Sequence, residues 1–263
     1  MISLHGQTAL ITGASSGIGA ACARALAQQG SRLILAARRL ERLEQLAHEL
    51  TSTYGIPIHC LALDVRDPEQ VQTCLGSLPE PWQAIDMLIN NAGLSRGWDP
   101  LQEGHLDDWE EMIDTNLKGL LYVTRAIAPG MLHRQRGHIV NLGSVAGHYT
   151  YPRGNVYCAT KAAVRALTEG MKMDFLGTPI RVSSVDPGLV ETEFSTVRFH
   201  GDAQQAARVY QNLQPLTATD IAEVIVFCLT RPAHVNINQI LLMPVDQASP
   251  TQVYRHTAAG SSS

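Results

Sequence analysis

Three side chains in the second half of the chain have the types and spacing needed for proton transfer. Tyr157 and Lys161 lie four residues apart in YCATK, so a helix would place both on one face. A free tyrosine has a pKa of about 10, and a nearby ammonium favours the phenolate. Ser144 ends a predicted strand, at the sheet edge where open α/β proteins bind ligands. Each feature alone also has a structural explanation, as a surface pattern or a cap.

The rest of the chain supplies an alternating set of elements that could position these residues. Apolar, β-branched runs predict strands at 7–12, 32–37, 58–65, 84–93, 138–144, 180–188 and 239–245. Helical periodicity fills the intervals, with the longest helices expected at 107–133 and 156–176. Continuous apolar strands separated by helices indicate an α/β protein, with a doubly wound parallel sheet that is covered on both faces. We expect one domain over 1–250 and a partly disordered tail over 251–263.

A glycine-rich stretch, TGASSGIG at 12–19, follows the first strand and opens the first helix. A doubly wound sheet has its phosphate-binding turn at this place. Gly13 permits a tight turn, and Gly17 and Gly19 would allow a pyrophosphate to approach the helix N-terminus. The spacing is GxxxGxG rather than GxGxxG, and on its own it is equally compatible with a plain turn.

The second strand ends in Ala37, Arg38 and Arg39. An acidic residue here would hydrogen-bond the ribose 2′-hydroxyl of NAD, whereas arginine can pair with a 2′-phosphate. The alternative is a pair of solvated charges, but two cations in the first turn of a helix oppose its dipole unless an anion offsets them. The pattern therefore favours NADP.

Composition and charge exclude several other classes of function. A net charge of −4 and a pI near 6.2 argue against nucleic acid as a partner. No apolar stretch reaches the roughly 18 residues of a membrane span, and the N-terminus lacks a signal-peptide pattern. Five scattered cysteines indicate reduced thiols in the cytoplasm. The histidines form no HxxxH or HExxH pair, so we expect no metal site.

Six motifs occur in one order: TGASSGIG, NNAG at 90–93, Asn116 in DTN, Ser144 in NLGS, YCATK, and DPG at 186–188. From about residue 6 to 246 the chain resembles the short-chain dehydrogenase/reductase family. The resemblance implies a Rossmann-type sheet of seven parallel strands and hydride transfer between nicotinamide and a carbonyl carbon. By it, Tyr157 is the general acid/base, and Lys161 lowers its pKa and holds the nicotinamide ribose. Ser144 would polarise the carbonyl, and Asn116 would support a water relay to Lys161.

The same resemblance implies a set of residues that bind the cofactor. Asp64 and Val65 would contact adenine, Asn91 would line the adenosine ribose, and 187–195 would wrap the nicotinamide, with Thr192 near its carboxamide. Asp64 could also cap the helix that follows. The whole implied set is Gly13, Ser15, Ser16, Gly17, Ile18, Gly19, Arg38, Arg39, Asp64, Val65, Asn91, Ala92, Gly93, Tyr157, Lys161, Pro187, Gly188, Val190 and Thr192.

Four further segments are less generic than these motifs: DDWEEMIDTNLKGLLYVTRAIAPGM, GNVYCATKA, EFSTVRFHGD and PAHVNINQILLMPV. They resemble a cytoplasmic, homotetrameric subgroup, the NADP-dependent 3-hydroxy acid dehydrogenases that also oxidise serine. Ser144 and Tyr157 would then contact the substrate hydroxyl, and a cation must bind the substrate carboxylate. Arg198 is the candidate, with Arg153 and Arg96 as alternatives, and each could equally be a surface arginine. Phe199 and Tyr151 could supply apolar walls or simply pack.

Two other interpretations remain open from the sequence. One is a carbonyl reductase with a different substrate, such as a 3-oxoacyl thioester, a polyol or a xenobiotic ketone. The other is a cofactor-sensing scaffold without catalysis. Such scaffolds tend to lose the tyrosine or the lysine, and Tyr157 and Lys161 are both present here.

Overall fold

The computed structural model of the protein describes residues 2–257, and its centre is a seven-stranded sheet in which every strand pair is parallel. The strands are β1 Thr8–Thr12, β2 Arg32–Ala37, β3 Ile58–Ala62, β4 Met87–Asn90, β5 His138–Leu142, β6 Arg181–Pro187 and β7 Gln239–Leu242. Their order across the sheet is β3-β2-β1-β4-β5-β6-β7. The prediction of a doubly wound parallel sheet is confirmed.

Nine α-helices surround the sheet in the described residues. They are α1 Gly17–Gln28, α2 Leu40–Tyr54, α3 Pro68–Gly76, α4 Leu106–Ile113, α5 Leu120–His133, α6 Asn155–Asp174, α7 Phe194–Arg198, α8 Ala203–Tyr210 and α9 Ala218–Leu229. The predicted helix 107–133 is not uniform, because Asp114–Gly119 forms a π-helical segment between α4 and α5. Segments of this kind often occur at functional sites, and this one contains Asn116.

Each face of the sheet packs on its own apolar core. The side chains of Leu10 and Ile11 in β1 are both fully buried, but they belong to different cores on opposite faces. Helices α1, α2 and α9 cover the first face, and α3, α5 and α6 cover the second. Burial on both faces explains why the strands are apolar throughout instead of alternating.

The strand order reverses at β1, which pairs with β2 on one side and β4 on the other. After β2 the chain continues to the first face of the sheet, and after β4 it continues to the second face. Doubly wound sheets bind ligands in the crevice that opens where the connections diverge in this way. The amide of Asn91 ties the crevice together, since its Nδ2 donates to Thr12 O at 2.9 Å and to Gly13 O at 3.2 Å. The strands predicted at 58–65 and 84–93 end earlier than expected, at Ala62 and Asn90. The residues after them form the loops that border this crevice.

The C-terminal segment folds back along α8. Arg255 donates hydrogen bonds to the carbonyls of Val209 and Gln211, and the backbone N–H of His256 donates to Asn212 O at 2.7 Å. The rest of the tail expected to be disordered, 258–263, lies outside the described residues. In residues 2–257 no helix has the length and apolarity of a membrane span. The same residues present no group of three or more His, Cys, Asp or Glu side chains that could hold a metal ion.

Gly19 packs the first turn of α1 against the crevice. A Cβ at Gly19 would collide with the carbonyl oxygen of Gly13 and would lie 2.6 Å from Nδ2 of Asn91. The space that we expected a ligand to use at Gly19 is therefore taken by two groups of the protein, the carbonyl of Gly13 and the side-chain amide of Asn91. This explains why a glycine is needed although its φ is not positive.

We expect Gly19→Ala to lower the free energy of unfolding by about 1–3 kcal/mol, because backbone must move to admit the methyl group. Gly76→Ala is the matched control, since Gly76 ends α3 and a Cβ there would have only Gln72 Nε2 within 4 Å, at 3.7 Å. Its stability should stay equal or rise by up to about 1 kcal/mol. Urea denaturation of both variants checks this, and equal effects would contradict the packing role of Gly19.

Candidate active site

A cavity of about 590 Å³ runs along the carboxyl edge of the sheet, within the size range of small-molecule and cofactor sites. The ends of β1, β2, β4, β5 and β6 and the loops after them form its walls. The structure places every predicted site residue on this cavity except Arg153, and except Gly19 and Asn116, which lie directly behind it. Residues separated by more than 180 positions in the chain therefore meet at one edge.

One end of the cavity is an anion cradle at the start of α1. Gly13 and Gly17 have φ values of +65° and +52°, which turn the chain tightly after β1. Ser16 is the N-cap, but its side chain does not cap the helix, because Ser16 Oγ accepts a hydrogen bond from Arg39 Nη2 at 2.8 Å. The first backbone N–H groups of α1 thus have no side-chain partner among the described residues. They fit the pyrophosphate of a dinucleotide.

The two arginines after β2 lie beside this cradle. Arg39 also donates to Ser15 Oγ at 3.1 Å. Arg38 is half exposed, with its Nη1 3.8 Å from a carboxylate oxygen of Glu111. Ala37 ends β2 in the cavity wall and brings no carboxylate. The surface beside the cradle therefore carries two cations and fits a 2′-phosphate.

Asp64 has a partner that the sequence did not predict. Arg66 Nη2 lies 2.6 Å from Asp64 Oδ2, and Arg66 Nε donates to both carboxylate oxygens at 3.0 Å. Burial alone would raise the pKa of Asp64, but the hydrogen bonds from Arg66 outweigh it and lower the pKa. Asp64 is therefore an ionised, fixed acceptor on the wall of the cavity. The separate helix cap is Asp67, whose carboxylate accepts from the N–H groups of Glu69 and Gln70.

Ser144 and Tyr157 line the other end of the cavity, and both are nearly buried. Ser144 Oγ accepts from Ala146 N–H at 3.1 Å, which fixes the hydroxyl at the end of β5. Burial raises the pKa of Tyr157, while the nearby hydroxyl of Ser144 and the charge of Arg198 oppose the rise. The cation that faces the phenol in this structure is thus Arg198.

Lys161 is held by the backbone of β5, since its ammonium donates to Leu142 O at 2.7 Å. Its expected effect on the pKa of Tyr157 stays a prediction. Burial lowers the pKa of Lys161 to about 8, although the carboxylate of Asp186 opposes this effect. Lys161 lines the cavity one helical turn after Tyr157, where it can reach a bound group.

The side chain of Asn116 is bound within the protein, and the water relay expected for this residue stays a prediction. Its side-chain amide donates to Leu94 O at 2.8 Å and to Thr160 Oγ1 at 3.1 Å, and its Oδ1 accepts from Leu94 N–H at 2.8 Å. Both amide hydrogens are therefore used within the protein. Asn116 is a positioning residue, which joins the π-helical segment to the loop after β4 and to the residue before Lys161.

Arg198 lies in an aromatic box at the substrate end. Its guanidinium carbon is 5.1 to 5.5 Å from the ring centroids of Phe194, Tyr157 and Trp98. Tyr151 completes the box, because its ring stacks on Trp98 at 5.6 Å and its hydroxyl accepts from Arg198 Nη2 at 3.1 Å. Arg198 Nε is buried without a hydrogen-bond partner among the described residues. An anion in the cavity would satisfy it.

The two alternative arginines are placed differently. Arg96 is committed within the protein, since its Nε donates to Glu111 at 2.7 Å and its Nη1 donates to Val197 O at 2.8 Å. Arg153 is exposed and borders a separate cavity of about 20 Å³. Phe199 meets Trp98 edge to face at 6.3 Å, so it supports the box from outside.

Sequence reasoning missed the aromatic residues Trp98 and Phe194. Both lie in loops or short helices that border the cavity, and the only sequence signal was a large aromatic residue in each segment. It also missed the ion pairs of Glu111 and Glu193, which join parts of the chain that are distant in sequence.

Comparisons with known proteins agree with this geometry. A family model described as short chain dehydrogenase matches residues 7–203. An NADP-dependent 3-hydroxy acid dehydrogenase of Escherichia coli (strain K12) is 48% identical over 240 residues, which are 91% of this chain and 95% of that protein. A protein of the same description from Schizosaccharomyces pombe is 47% identical over 259 residues, covering 98% of this chain and all of that one.

A solved structure is also similar over nearly the whole chain. It is described as the closed form of serine dehydrogenase complexed with NADP+, with a TM-score of 0.90 and 46% identity. The similarity covers 96% of this chain and 100% of the chain in the solved structure. The family resemblance of the sequence is confirmed, and the chain belongs to the short-chain dehydrogenase family.

Proposed function

We propose that the protein is an NADP-dependent dehydrogenase that oxidises the hydroxyl-bearing carbon of a small 3-hydroxy acid, such as serine or 3-hydroxypropionate. The observation that carries the substrate class is Arg198, a partly buried cation whose guanidinium carbon lies 5.4 Å from the ring centroid of Tyr157 and whose Nε has no hydrogen-bond partner within residues 2–257. In a 3-hydroxy acid one carbon separates the carboxylate from the carbinol carbon. A short substrate can therefore reach Arg198 and Tyr157 together. The substrates named for the similar proteins are of this class.

Two observations support NADP as the cofactor. The cradle at α1 fits a pyrophosphate, Arg38 and Arg39 provide cations beside it, and β2 ends in Ala37 rather than in an acidic residue. The similar proteins are described as NADP-dependent or as bound to NADP+. When bound, NADP supplies the hydride acceptor of the oxidation at its nicotinamide ring.

The side chains of this protein have separate tasks in that reaction. Tyr157, as the phenolate, accepts the proton of the substrate hydroxyl. Ser144 donates a hydrogen bond to the same substrate oxygen, and Arg198 holds the carboxylate and so orients the carbinol carbon. The ammonium of Lys161 lies one turn away, where it favours the phenolate and holds the cofactor ribose. The aromatic box excludes water and limits the length of the substrate.

We further propose a homotetramer with dihedral symmetry. Large apolar side chains are exposed on α4, α5 and the end of α6, and others on the edge strand β7 and after it, namely Leu106, Ile113, Leu121, Met173, Leu176, Leu241 and Val245. Light scattering at micromolar concentration should give four times the mass of 28.6 kDa. A monomer mass would contradict the proposal.

Arg198→Leu tests the substrate class. It should lower kcat/KM for 3-hydroxypropionate about ten- to hundredfold, since a charge-assisted hydrogen bond contributes about 1.5–3 kcal/mol. The uncharged 1,3-propanediol should change only a few-fold. Tyr157→Phe is the comparison variant, and it should lower turnover of both compounds by about two to four orders of magnitude while NADP affinity is kept. Equal losses for both alcohols in Arg198→Leu would contradict the carboxylate role.

The cofactor choice can be tested in the ribose subsite. The parent should favour NADP over NAD by about ten- to a hundredfold in kcat/KM. The double change Ala37→Asp with Arg38→Leu should reverse this order, because it removes a cation and adds a repelling carboxylate. Steady-state kinetics with both cofactors check the reversal. A parent that already prefers NAD would show that the interpretation of the arginines is wrong.

A further inference from the structure

A carboxylate of the chain pairs with Arg39, one of the two arginines that the proposed function assigns to the cofactor. Glu193 Oε2 lies 3.2 Å from Arg39 Nη1, and Glu193 Oε1 lies 2.8 Å from Arg42 Nη1. Burial opposes ionisation of Glu193, but hydrogen bonds from Arg42 and Arg39 outweigh it and lower its pKa. The subsite beside Ser15 and Ser16 therefore already holds an anion, and that anion belongs to the protein.

The two sides of this contact come from distant segments. Arg39 follows β2 and is 154 residues before Glu193 in the chain. Glu193 directly precedes α7, which carries Arg198, and its side chain lines the same cavity as Arg39. Both partners are about half exposed, so the pair is in contact with solvent and can exchange for another ion.

We infer that Glu193 is a competing anion, which weakens binding of the cofactor's 2′-phosphate at Arg39 and so sets how strongly the protein discriminates NADP from NAD. The inference rests on the proposed use of NADP. A phosphate monoester carries a charge of about −1.5 to −2 near neutral pH, and it must share Arg39 with this carboxylate. The ribose of NAD carries no charge there, so Glu193 opposes only the phosphorylated cofactor.

Arg42 lowers the free-energy cost of replacing Glu193 by a 2′-phosphate at Arg39. It is half exposed, and its Nη1 donates to both oxygens of Glu193, to Oε1 at 2.8 Å and to Oε2 at 3.2 Å. When a 2′-phosphate takes Arg39, Glu193 keeps Arg42 as its partner and no carboxylate is left unpaired. Arg39 keeps its hydrogen bonds to the hydroxyls of Ser15 and Ser16, which hold the guanidinium in the subsite.

The test uses two nucleotides that differ only in the 2′-phosphate, adenosine 2′,5′-bisphosphate and 5′-AMP. Calorimetry gives the ratio of their dissociation constants, with no dependence on catalysis. We expect Glu193→Gln to raise the preference for the bisphosphate by about three- to tenfold over the parent. The variant should fold, because the substitution keeps the size of a half-exposed side chain, and a thermal melt verifies this.

Two controls separate the local contact from a general change of charge. Glu191→Gln removes the same charge two residues earlier, from an exposed side chain that forms no ion pair within residues 2–257, and should change the ratio less than about twofold. In an Arg39→Gln background, Glu193→Gln should also have less than about a twofold effect, because the shared cation is gone.

If the preference for the bisphosphate is unchanged or weaker in Glu193→Gln, the inference is overturned. A weaker preference would mean that Glu193 organises the arginines. If the parent and the variant both bind the two nucleotides equally, the cofactor proposal and the inference fail together. If the parent binds them equally and the variant prefers the bisphosphate, only the NADP preference of the parent is contradicted.

Discussion

All strands of the sheet run in one direction, and this constraint determines where chemistry can take place. The carboxyl ends of parallel strands lie at the same edge, so each loop after a strand delivers side chains to one cavity. The order of the strands reverses at β1, and the crevice that results accommodates the glycine turn and α1. The amide of Asn91 keeps the ends of β1 and β4 together. The anion cradle at α1 and the pair Ser144 and Tyr157 line one cavity because they share this edge.

The same edge carries buried polar groups that must be satisfied within the protein. Asn90 Nδ2 donates to Asn141 Oδ1 and to Thr124 Oγ1, both at 2.9 Å, and Asn141 Nδ2 donates in turn to Thr168 Oγ1 at 2.9 Å. This network connects β4, β5, α5 and α6 below the cavity. Lys161, on the same helix as Thr168, is held by a strand carbonyl. Asn90 Oδ1 is the one side-chain oxygen of this network that has no hydrogen-bond partner among the described residues. The connected hydrogen bonds in a low-dielectric interior hold these side chains in fixed relative positions.

The elements and the cofactor end of the site could be predicted from the sequence because their signals are local. A glycine turn between a strand and a helix, or two arginines directly after a strand, has a meaning that does not depend on distant residues. The seven strands were found in this way, although Asp64 and Ala92 lie in loops after shorter strands than predicted. Contacts between distant segments left no local signal, so Trp98 against Arg198 and Glu193 against Arg39 could be found only in the structure.

The placement of the two cations around Tyr157 is the clearest case of this difference. The spacing of YCATK correctly indicates that Tyr157 and Lys161 share a helix, but not which neighbour faces the phenol. In the structure the charge of Arg198 opposes the rise in the pKa of Tyr157, while Lys161 donates to Leu142 O. Under the proposed function, a substrate carboxylate offsets the charge of Arg198, and the phenolate then needs a second cation. Lys161 is the cation one turn away, and burial lowers its pKa to about 8, an effect that a bound anionic group would oppose. Under that function the phenolate has two cations near it because the substrate carboxylate neutralises one of them.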